Sequence, residues 1–234
     1  AADWVARQFQ AIDRLQTRLV ADGPFQPFEM TLEATLGPAD RNAVELVGPA
    51  AAAGLPAVLP LQLGRDFTPL AAGGDGEFDL PLVFAGYGIT APDERYDDYA
   101  PLGDAVKGAA VVVLRQEPQK DDPHSVFDGN QASQHAALSR KVANASEHQA
   151  GAVVFCNDAD GDALMAFSRA GQGAQARSMP VLHLRRSAID EVVRRTLGRP
   201  LADIQADIDV GLAPASRPLE GWRVRGRVGI ERRH

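Results

Sequence analysis

The sequence holds only one cysteine among its 234 residues, so it cannot form a disulfide within the chain. This residue, Cys156, ends the apolar run AVVFC. A free cysteine in such a run is predicted to be a small buried hydrophobic residue. Because a single cysteine gives no disulfide pattern, it does not indicate whether the protein works in an oxidising or a reducing compartment.

Basic residues are also scarce: 24 lysines and arginines stand against 31 aspartates and glutamates, a formal charge of -7. Nucleic-acid binding needs a basic face that neutralises phosphates, so this charge argues against a nucleic-acid partner. In the one basic cluster, Arg223, Arg225 and Arg227 alternate with uncharged residues. A period of two predicts a half-exposed strand, and we interpret the arginines as its solvated face rather than as an anion site.

Long hydrophobic runs are missing as well. No apolar run is long enough to cross a bilayer, so no membrane span is predicted. No charged segment followed by an apolar one precedes Ala1, which favours a chain that begins mature or trimmed. The composition, 45% hydrophobic and 24% charged, is typical of a soluble globular protein.

Common catalytic signatures do not occur. There is no Gly-x-Ser-x-Gly, so no nucleophile elbow is predicted, and there is no His-Glu-x-x-His zinc motif. Cys156 has no identifiable histidine partner. His183 lies inside the apolar run MPVLHL and is predicted to be a residue at the edge of the core rather than a general base. The residues alone therefore predict no catalytic set.

Two loops contain metal-capable side chains. In the first, NDADGDALM, the residues Asp158, Asp160 and Asp162 alternate as calcium ligands could. The glycine comes too early for an EF-hand, and Arg169 stands where the closing glutamate is needed. We favour a turn built on aspartate and glycine, with metal binding as the open alternative.

The second loop is DDPHSVFDGNQASQH, which brings His124 and His135 near several aspartates. Their spacing matches no ligand pattern that zinc or another metal requires. We favour a solvated loop, and here too metal binding stays open as the alternative.

Gly86 and Gly88 follow an apolar run, as the glycines of a dinucleotide-binding fingerprint do. A phosphate site also needs amide donors at a helix N-terminus and a positive potential. Here the next residues are Thr-Ala-Pro-Asp-Glu, and their acidic side chains would repel an anion. We therefore predict that the two glycines permit a bend or bulge at the end of a strand.

Hydrophobic periodicity predicts more strands than helices. The predicted strands are 42–48, 80–89, 109–118, 152–158, 179–184 and 221–231, with an extended segment over 25–37 and a connector over 48–60. The predicted helices are 4–19, 135–151, 187–198 and 200–208. Ser187 is the predicted N-cap of the third helix and Gly198 its end. Strand, helix and strand over 109–158 predict a parallel, right-handed crossover, within an α+β fold.

Four sequence blocks, in this order, are similar to one known domain. Together they resemble the protease-associated (PA) domain, in the version inserted in bacterial zinc aminopeptidases of the clan that includes glutamate carboxypeptidase and the transferrin receptor. There are two departures: Lys107-Gly108 is followed by Ala109 where family members usually have lysine, and the loop 103–105 is one residue longer. The blocks are LVFAGYGITAPDERYDDYA (82–100), VKGAAVVVLRQEP (106–118), SRKVANASEHQAGAVVFCND (139–158) and MPVLHL (179–184).

The flanking segments extend this resemblance. ADWVARQF and GPFQPFEM look like the start of such a peptidase, and WRVRGRVGIERR looks like the strand that returns to it. The implied fold is α+β: a PA-type β-barrel or sandwich with a few flanking helices, plus an N-terminal helix and edge strands that belong to a peptidase fold. The implied segments are a peptidase-like fragment over 1–38, a PA domain over 39–218 and a second peptidase-like fragment over 219–234.

Peptidases of this clan hold two zinc ions through histidine and acidic ligands, which include a His-x-Asp element and a Glu-Glu pair. No histidine of this chain is followed by an acid two places on, and no Glu-Glu occurs. We therefore expect no catalytic residues, metal ligands or cofactor here, and two zinc ions in a catalytic domain outside the chain. A metal hydrolase that uses the loop from His124 to His135 is the less favoured alternative.

The resemblance implies a domain that covers or gates an active-site entrance and contacts either peptide substrate or its own catalytic domain. The expected contact surface is an acidic, aromatic loop, because such loops suit recognition; a loop held by packed tyrosines is the alternative. A stand-alone PA-type interaction or sorting module is the second hypothesis. Homo-oligomers stay open, and family analogy favours a periplasmic or secreted location. The contact residues would be Tyr87, Tyr96, Asp97, Asp98 and Tyr99.

Overall fold

The computed structural model describes residues 2–12, 33–50, 56–158, 161–170 and 178–233. The chain forms two compact units, residues 1–30 with residue 234 and residues 31–233. The described part of the first unit contains helix α1 (Ala2–Gln10), where a helix was predicted over 4–19; residues 13–19 lie outside the described residues. The apolar side chains Trp4, Phe9 and Ile12 are exposed.

The second unit is built around a sheet of eight strands. Its helices are α2 (Leu138–Glu147), α3 (Arg186–Leu197) and α4 (Leu201–Gly211). Among the described residues the strands, in order, are β1 (Glu33–Leu36), β2 (Ala43–Ala50), β3 (Pro56–Leu61), β4 (Phe67–Pro69), β5 (Gly76–Phe84), β6 (Thr90–Ala91), β7 (Tyr96–Asp97), β8 (Ala110–Leu114), β9 (Ala152–Cys156), β10 (Val181–Leu184), β11 (Arg217–Val228) and β12 (Ile230–Arg233).

The large sheet is mixed, with the order β3-β2-β11-β5-β8-β9-β10-β4. Strands β5, β8, β9 and β10 are parallel to their neighbours in this group, and the remaining pairs are antiparallel. The parallel pairing of β8 and β9 around α2 confirms the predicted parallel crossover. The α+β class is confirmed in its coarse form, a mixed sheet with a few helices. Pairs β1-β12 and β6-β7 form two small antiparallel sheets.

The core lies on both faces of the parallel strands. All five residues of β8 and all five of β9 are buried, which is typical of strands covered on two sides. Val112 and Val154 belong to one apolar cluster, which α3 and α4 complete. Val111 and Val153 belong to the other, which α2 completes. Continuous apolar runs in the sequence thus mark the strands that helices cover on each side.

Strand β3 is a correction to the prediction, because all of it except Leu61 lies in the stretch expected to be a connector. It pairs with β2 in antiparallel register and forms one edge of the large sheet. Pro56 and Pro60 are unusual in a strand, since proline has no amide hydrogen. A proline is nevertheless tolerated on an edge strand, where one side needs no partner.

The start of α3 is a second correction. The helix begins at Arg186 and its N-cap is Arg185, so the prediction that Ser187 is the N-cap is wrong. Ser187 lies in the first turn, and its amide donates to Oδ1 of Asp162 at 2.9 Å. A carboxylate from another loop therefore satisfies a helix N-terminal amide. The predicted end is confirmed, because Gly198 is the left-handed C-cap at φ 68°.

Strand β11 crosses the middle of the large sheet between β2 and β5. Arg223, Arg225 and Arg227 are exposed and Val224 is buried, so the predicted solvated strand face is confirmed. Arg223 pairs with Asp79 and Arg225 with a glutamate of β2. The segment boundary expected between 218 and 219 falls inside this strand.

Candidate functional site

The turn after β5 contains the two glycines that could have marked a phosphate site. Asp98 occupies it from within: its Oδ2 accepts hydrogen bonds from the amides of Tyr87 at 3.0 Å and Ile89 at 3.1 Å. Its Oδ1 accepts one from the hydroxyl of Tyr96 at 2.8 Å. The amides that could hold an external anion are therefore bonded to an internal carboxylate, and the glycines shape a strand end as predicted.

The five residues of the expected contact loop lie mostly inside the protein. Tyr87, Tyr96 and Tyr99 are each 2% exposed and Asp98 is fully buried. Asp97 is partly exposed, and its Oδ1 accepts from the hydroxyl of Thr90 and from the amide of Tyr99. These side chains hold the loop from within. This placement corresponds to the alternative that we gave, a loop held by packed tyrosines.

Lys141, on α2, also binds the loop that contains Tyr87. Its Nζ donates to the carbonyl oxygens of Tyr87 at 2.5 Å, Leu114 at 3.1 Å and Gln116. Three acceptors match the three N–H bonds of an ammonium, whereas complete burial disfavours the charge and lowers the pKa of Lys141 to about 7. Burial likewise raises the pKa of Asp98 to about 7, against the hydrogen bonds and the nearby Lys141 charge that lower it.

A cleft of about 730 Å³ lies beside this loop. Tyr87 follows β5, the segment 119–123 follows β8, and Asp158 follows β9. The carboxyl ends of parallel strands meet at one edge of a sheet, which is where open α/β sheets commonly bind ligands. Helix α4 provides the remaining side. The lining residues are Tyr87, Gln119, Lys120, Asp121, Asp122, Pro123, Asp158, Gln205, Asp209 and Val210.

Asp209, on α4, connects this helix to the two lining segments that contain Tyr87 and Gln119. Its Oδ1 accepts from the hydroxyl of Tyr87 at 2.8 Å and from the amide of Gln119 at 3.4 Å. Burial raises the pKa of Asp209, although these hydrogen bonds oppose the rise. Lys120, the residue after Gln119, forms an ion pair with Asp158 at 2.6 Å. The cleft is therefore acidic, with one carboxylate neutralised and Asp209 partly shielded from water.

The aspartates considered for calcium have separate structural roles. Asp158 pairs with Lys120, and Asp162 accepts the amide of Ser187 on α3. Asp160 lies outside the described residues. Nothing in the described positions of Asp158 and Asp162 brings them to one ion.

The two loop histidines also lie in different surroundings. The side chain of His124 is 92% exposed, with Nδ1 3.6 Å from Asp122. His135 is buried, with Nε2 3.9 Å from Oε1 of Glu94. Within the described ranges, no three side chains of His, Cys, Asp or Glu lie together as a metal would need. The donor groups there do not fit a zinc centre.

His183 is a fully buried residue of β10. Its Nδ1 accepts from the amide of Met165 at 3.1 Å, so Nδ1 carries no proton. The proton is therefore on Nε2, which donates to Oδ1 of Asn157 at 3.2 Å. Burial, together with the charge of Arg115, lowers the pKa of His183 to about 4. The ring is a neutral core residue, deeper than the core-edge position predicted for it.

Comparison with known proteins gives structural neighbours of low similarity. No family model matches the chain, and no curated protein sequence matches it. An aminopeptidase from Aneurinibacillus sp. strain AM-1 is 16% identical, with a TM-score of 0.46 over 86% of this chain and 33% of that one. Two structures of a zinc aminopeptidase from Bacillus subtilis are 11% identical, with TM-scores of 0.33 and 0.40 over 87% of this chain and 33% of theirs. The chain spans about a third of the length of these structures.

The sequence did not identify the cleft residues on α4. Gln205 and Asp209 are four residues apart, so they share one face of the helix, and this spacing was the available signal. Their partners Tyr87, Gln119 and Asp158 come from three separate segments. None of the segments has a motif that points to a common site.

The described part of the chain has no helix long and apolar enough to span a membrane. Cys156 is buried, which confirms the prediction of a small buried residue, and burial raises the pKa of its thiol to about 12. A buried thiol that stays protonated is a poor nucleophile. The arrangement around the cleft is suited to binding through charge and hydrogen bonds.

Proposed function

We propose that this chain is the non-catalytic PA-domain region of a zinc-dependent, leucine aminopeptidase-like protein. In this role it covers or gates the active-site entrance and contacts substrate or protein. The PA-type barrel or sandwich, and the assignment of 1–38 and 219–234 to a peptidase fold, belong to the proposal. So does a periplasmic or secreted location.

One observation carries the proposal. The four sequence blocks that resemble the PA domain contain the end of β5 (82–84) and the whole of β8, β9 and β10, which lie side by side in this order in the large sheet. The third block also supplies α2, which covers one face of these strands. Four separate sequence blocks therefore form one continuous part of the fold.

The chemistry of hydrolysis is assigned to a catalytic domain outside residues 1–234. That domain would supply the His-x-Asp and Glu-Glu elements and bind two zinc ions, which polarise a carbonyl and generate hydroxide. The described donor groups of this chain do not form such a set. Its own part in the reaction would be to limit which peptides reach the metal centre.

The test compares a longer protein, in which this chain precedes its catalytic domain, with a version that lacks residues 39–228, so that β11 is removed together with the strands it pairs with. A gating domain should change the ratio of kcat/KM for long peptides to that for a small amino-acyl reporter by roughly tenfold, which is about 1.4 kcal/mol. Zinc content, measured on both proteins, is the control.

An unchanged ratio with full zinc content would contradict the gating role. Hydrolysis of the amino-acyl reporter by a pure preparation of this chain alone would contradict the non-catalytic assignment. A gene that encodes no catalytic domain would favour a stand-alone interaction module instead.

A further inference from the structure

The cleft beside Tyr87 has an excess of negative charge. Its lining has one ammonium, from Lys120, and four carboxylates. Lys120 pairs with Asp158 at 2.6 Å, and the other three carboxylates leave the lining negative. Acidic side chains on a surface do not define a ligand by themselves, so the site depends on a second feature. The other three carboxylates are those of Asp121, Asp122 and Asp209.

Gln205 provides that feature. It lines the same cleft from α4 and is only 7% exposed. Burial raises the pKa of Tyr87 and of Asp209, and the nearby side chain of Gln205 opposes this rise in both, so the Gln205 amide lies beside these two lining residues. Its Oε1 has no hydrogen-bond partner among the described residues. A buried acceptor without a donor is costly, and a ligand N–H would remove that cost.

We propose that this cleft binds a cationic group of a peptide, an alkylammonium or guanidinium, whose N–H bonds are donated to Oε1 of Gln205 and to the carboxylate of Asp209. A neutral ligand would leave the carboxylate charge unpaired, and an anion would be repelled. A metal ion is disfavoured, because the described residues bring no three metal-capable side chains together.

The shape of the cleft fits the aliphatic part of such a ligand. Its volume of about 730 Å³ lies within the range of small-molecule sites and exceeds what a lone ion needs. At the rim, the side chain of Val210 is 85% exposed and Pro123 is also exposed. The methylene groups of a lysine or arginine can pack on this apolar rim while the charged end reaches Asp209.

The inference rests on the proposed function only for the choice of a peptide as the ligand. The test uses the full chain and measures binding by calorimetry at low ionic strength, with four short peptides. One carries an internal lysine and acetylated and amidated ends. The second carries a free amino terminus and no charged side chain. The third is neutral and blocked at both ends, and the fourth is blocked and carries a glutamate.

We expect the lysine peptide to bind, with an affinity that falls as salt screens the charges. Binding of the free amino terminus instead supports the same cleft chemistry and identifies the α-ammonium as its source. Equal binding of the neutral or acidic peptide overturns the proposal. So does the absence of binding by both cationic peptides, and that outcome leaves the gating test untouched.

Variants assign the binding to the cleft. Asp209→Asn keeps the shape of the side chain and an acceptor for the Tyr87 hydroxyl but removes the charge, so binding should weaken about tenfold or more. Gln205→Met removes Oε1 and should also weaken binding. Asp203→Asn, an exposed change on the same helix outside the cleft, is the matched control and should bind as the unmodified chain does.

Unfolding curves establish that each variant is folded. If Asp209→Asn does not fold, Asp122→Asn provides the same charge change at the partly exposed mouth and should weaken binding severalfold. A folded Asp209→Asn, or in its place a folded Asp122→Asn, that binds as tightly as the Asp203→Asn control overturns the proposal.

Discussion

The carboxylate of Asp98 takes the position that an anionic ligand has in a glycine-rich turn. It accepts the amides of Tyr87 and Ile89, and the turn closes around it because Gly86 has φ +50° and no side chain. A Cβ at Gly86 would lie 2.1 Å from Oδ1 of Asp98. The Gly-x-Gly pattern is therefore explained by close packing of backbone against an internal side chain.

We predict that Gly86→Ala destabilises the protein by more than about 3 kcal/mol. Left-handed backbone alone costs a non-glycine residue about 1–2 kcal/mol, and the collision with Asp98 adds to it. Gly198→Ala is the control, since Gly198 has a similar φ of +68° and nothing within 4 Å of its missing Cβ. The measurement is urea unfolding of both variants. Equal losses would show that the contact with Asp98 has no energetic weight.

The buried His183 makes stability depend on pH. Its pKa is lowered to about 4, whereas an unfolded histidine titrates near 6.5. Between these values the unfolded chain binds the extra proton, so stability is present above pH 6.5 and is lost as the pH falls towards 4. The full loss is about 3 kcal/mol, from about 1.36 kcal/mol for each pKa unit.

The check is the free energy of unfolding of His183→Gln across this pH range. The variant should lose this part of the acid dependence, because glutamine keeps a polar group but does not titrate. The control His124→Gln changes a side chain that is 92% exposed and should keep the original pH curve. An unchanged acid dependence in His183→Gln would contradict the assignment.

At the scale of elements, α2 is fixed to the sheet by more than apolar contact. Val142 and Ala145 pack on β8 and β9 within one apolar cluster, and Lys141 donates to the carbonyls at the ends of two segments. The backbone oxygens around Lys141 lie at the end of β8 or beyond the ends of β5 and β8, where buried carbonyl groups need another donor. One lysine thus joins the helix to the loop that borders the cleft.

Lys141→Met should destabilise the protein by about 3–5 kcal/mol, because it leaves buried carbonyl groups without a donor. Arg140→Met is the matched control: it removes a neighbouring cation that is exposed and should change stability by less than about 0.5 kcal/mol. Thermal unfolding of both variants is the measurement. A stable Lys141→Met would mean that water or a shifted backbone satisfies these oxygens.

What could be predicted from the sequence was local. The apolar runs of β8 and β9 and the pattern between them define a parallel crossover, because each element is specified by its own residues. The edge strand β3 was missed because its pairing with β2 overrides two prolines. The cap of α3 was missed because its acceptor, Asp162, comes from another loop. The cleft brings together four distant segments, so no single stretch of sequence could reveal it.

At the scale of the whole molecule, the unit 31–233 has a core of its own. Its buried residues include both apolar clusters, whereas α1 has no buried residue. Strand β11 lies between β2 and β5, so the carboxyl-terminal part of the chain completes the sheet. The large sheet is therefore continuous only when β11, which comes near the end of this unit's sequence, is in place between β2 and β5.

Two truncated chains test this organisation. A chain of residues 31–234 should unfold cooperatively, with a midpoint close to that of residues 1–234. A chain of residues 31–216, which lacks β11 and β12, should not fold, because β2 and β5 would lose their common partner. Circular dichroism with urea titration is the measurement. Cooperative unfolding of the shorter chain would contradict a central role of β11.

The prolines of β3 have a consequence for how copies of this protein behave together. Pro56 and Pro60 lie in the strand that forms one border of the large sheet. A strand from another molecule that paired with this edge would find two positions that have no backbone N–H to donate. Concentrated stocks should therefore resist growth into fibrils along this side, and replacing both prolines with threonine would provide a template for such growth.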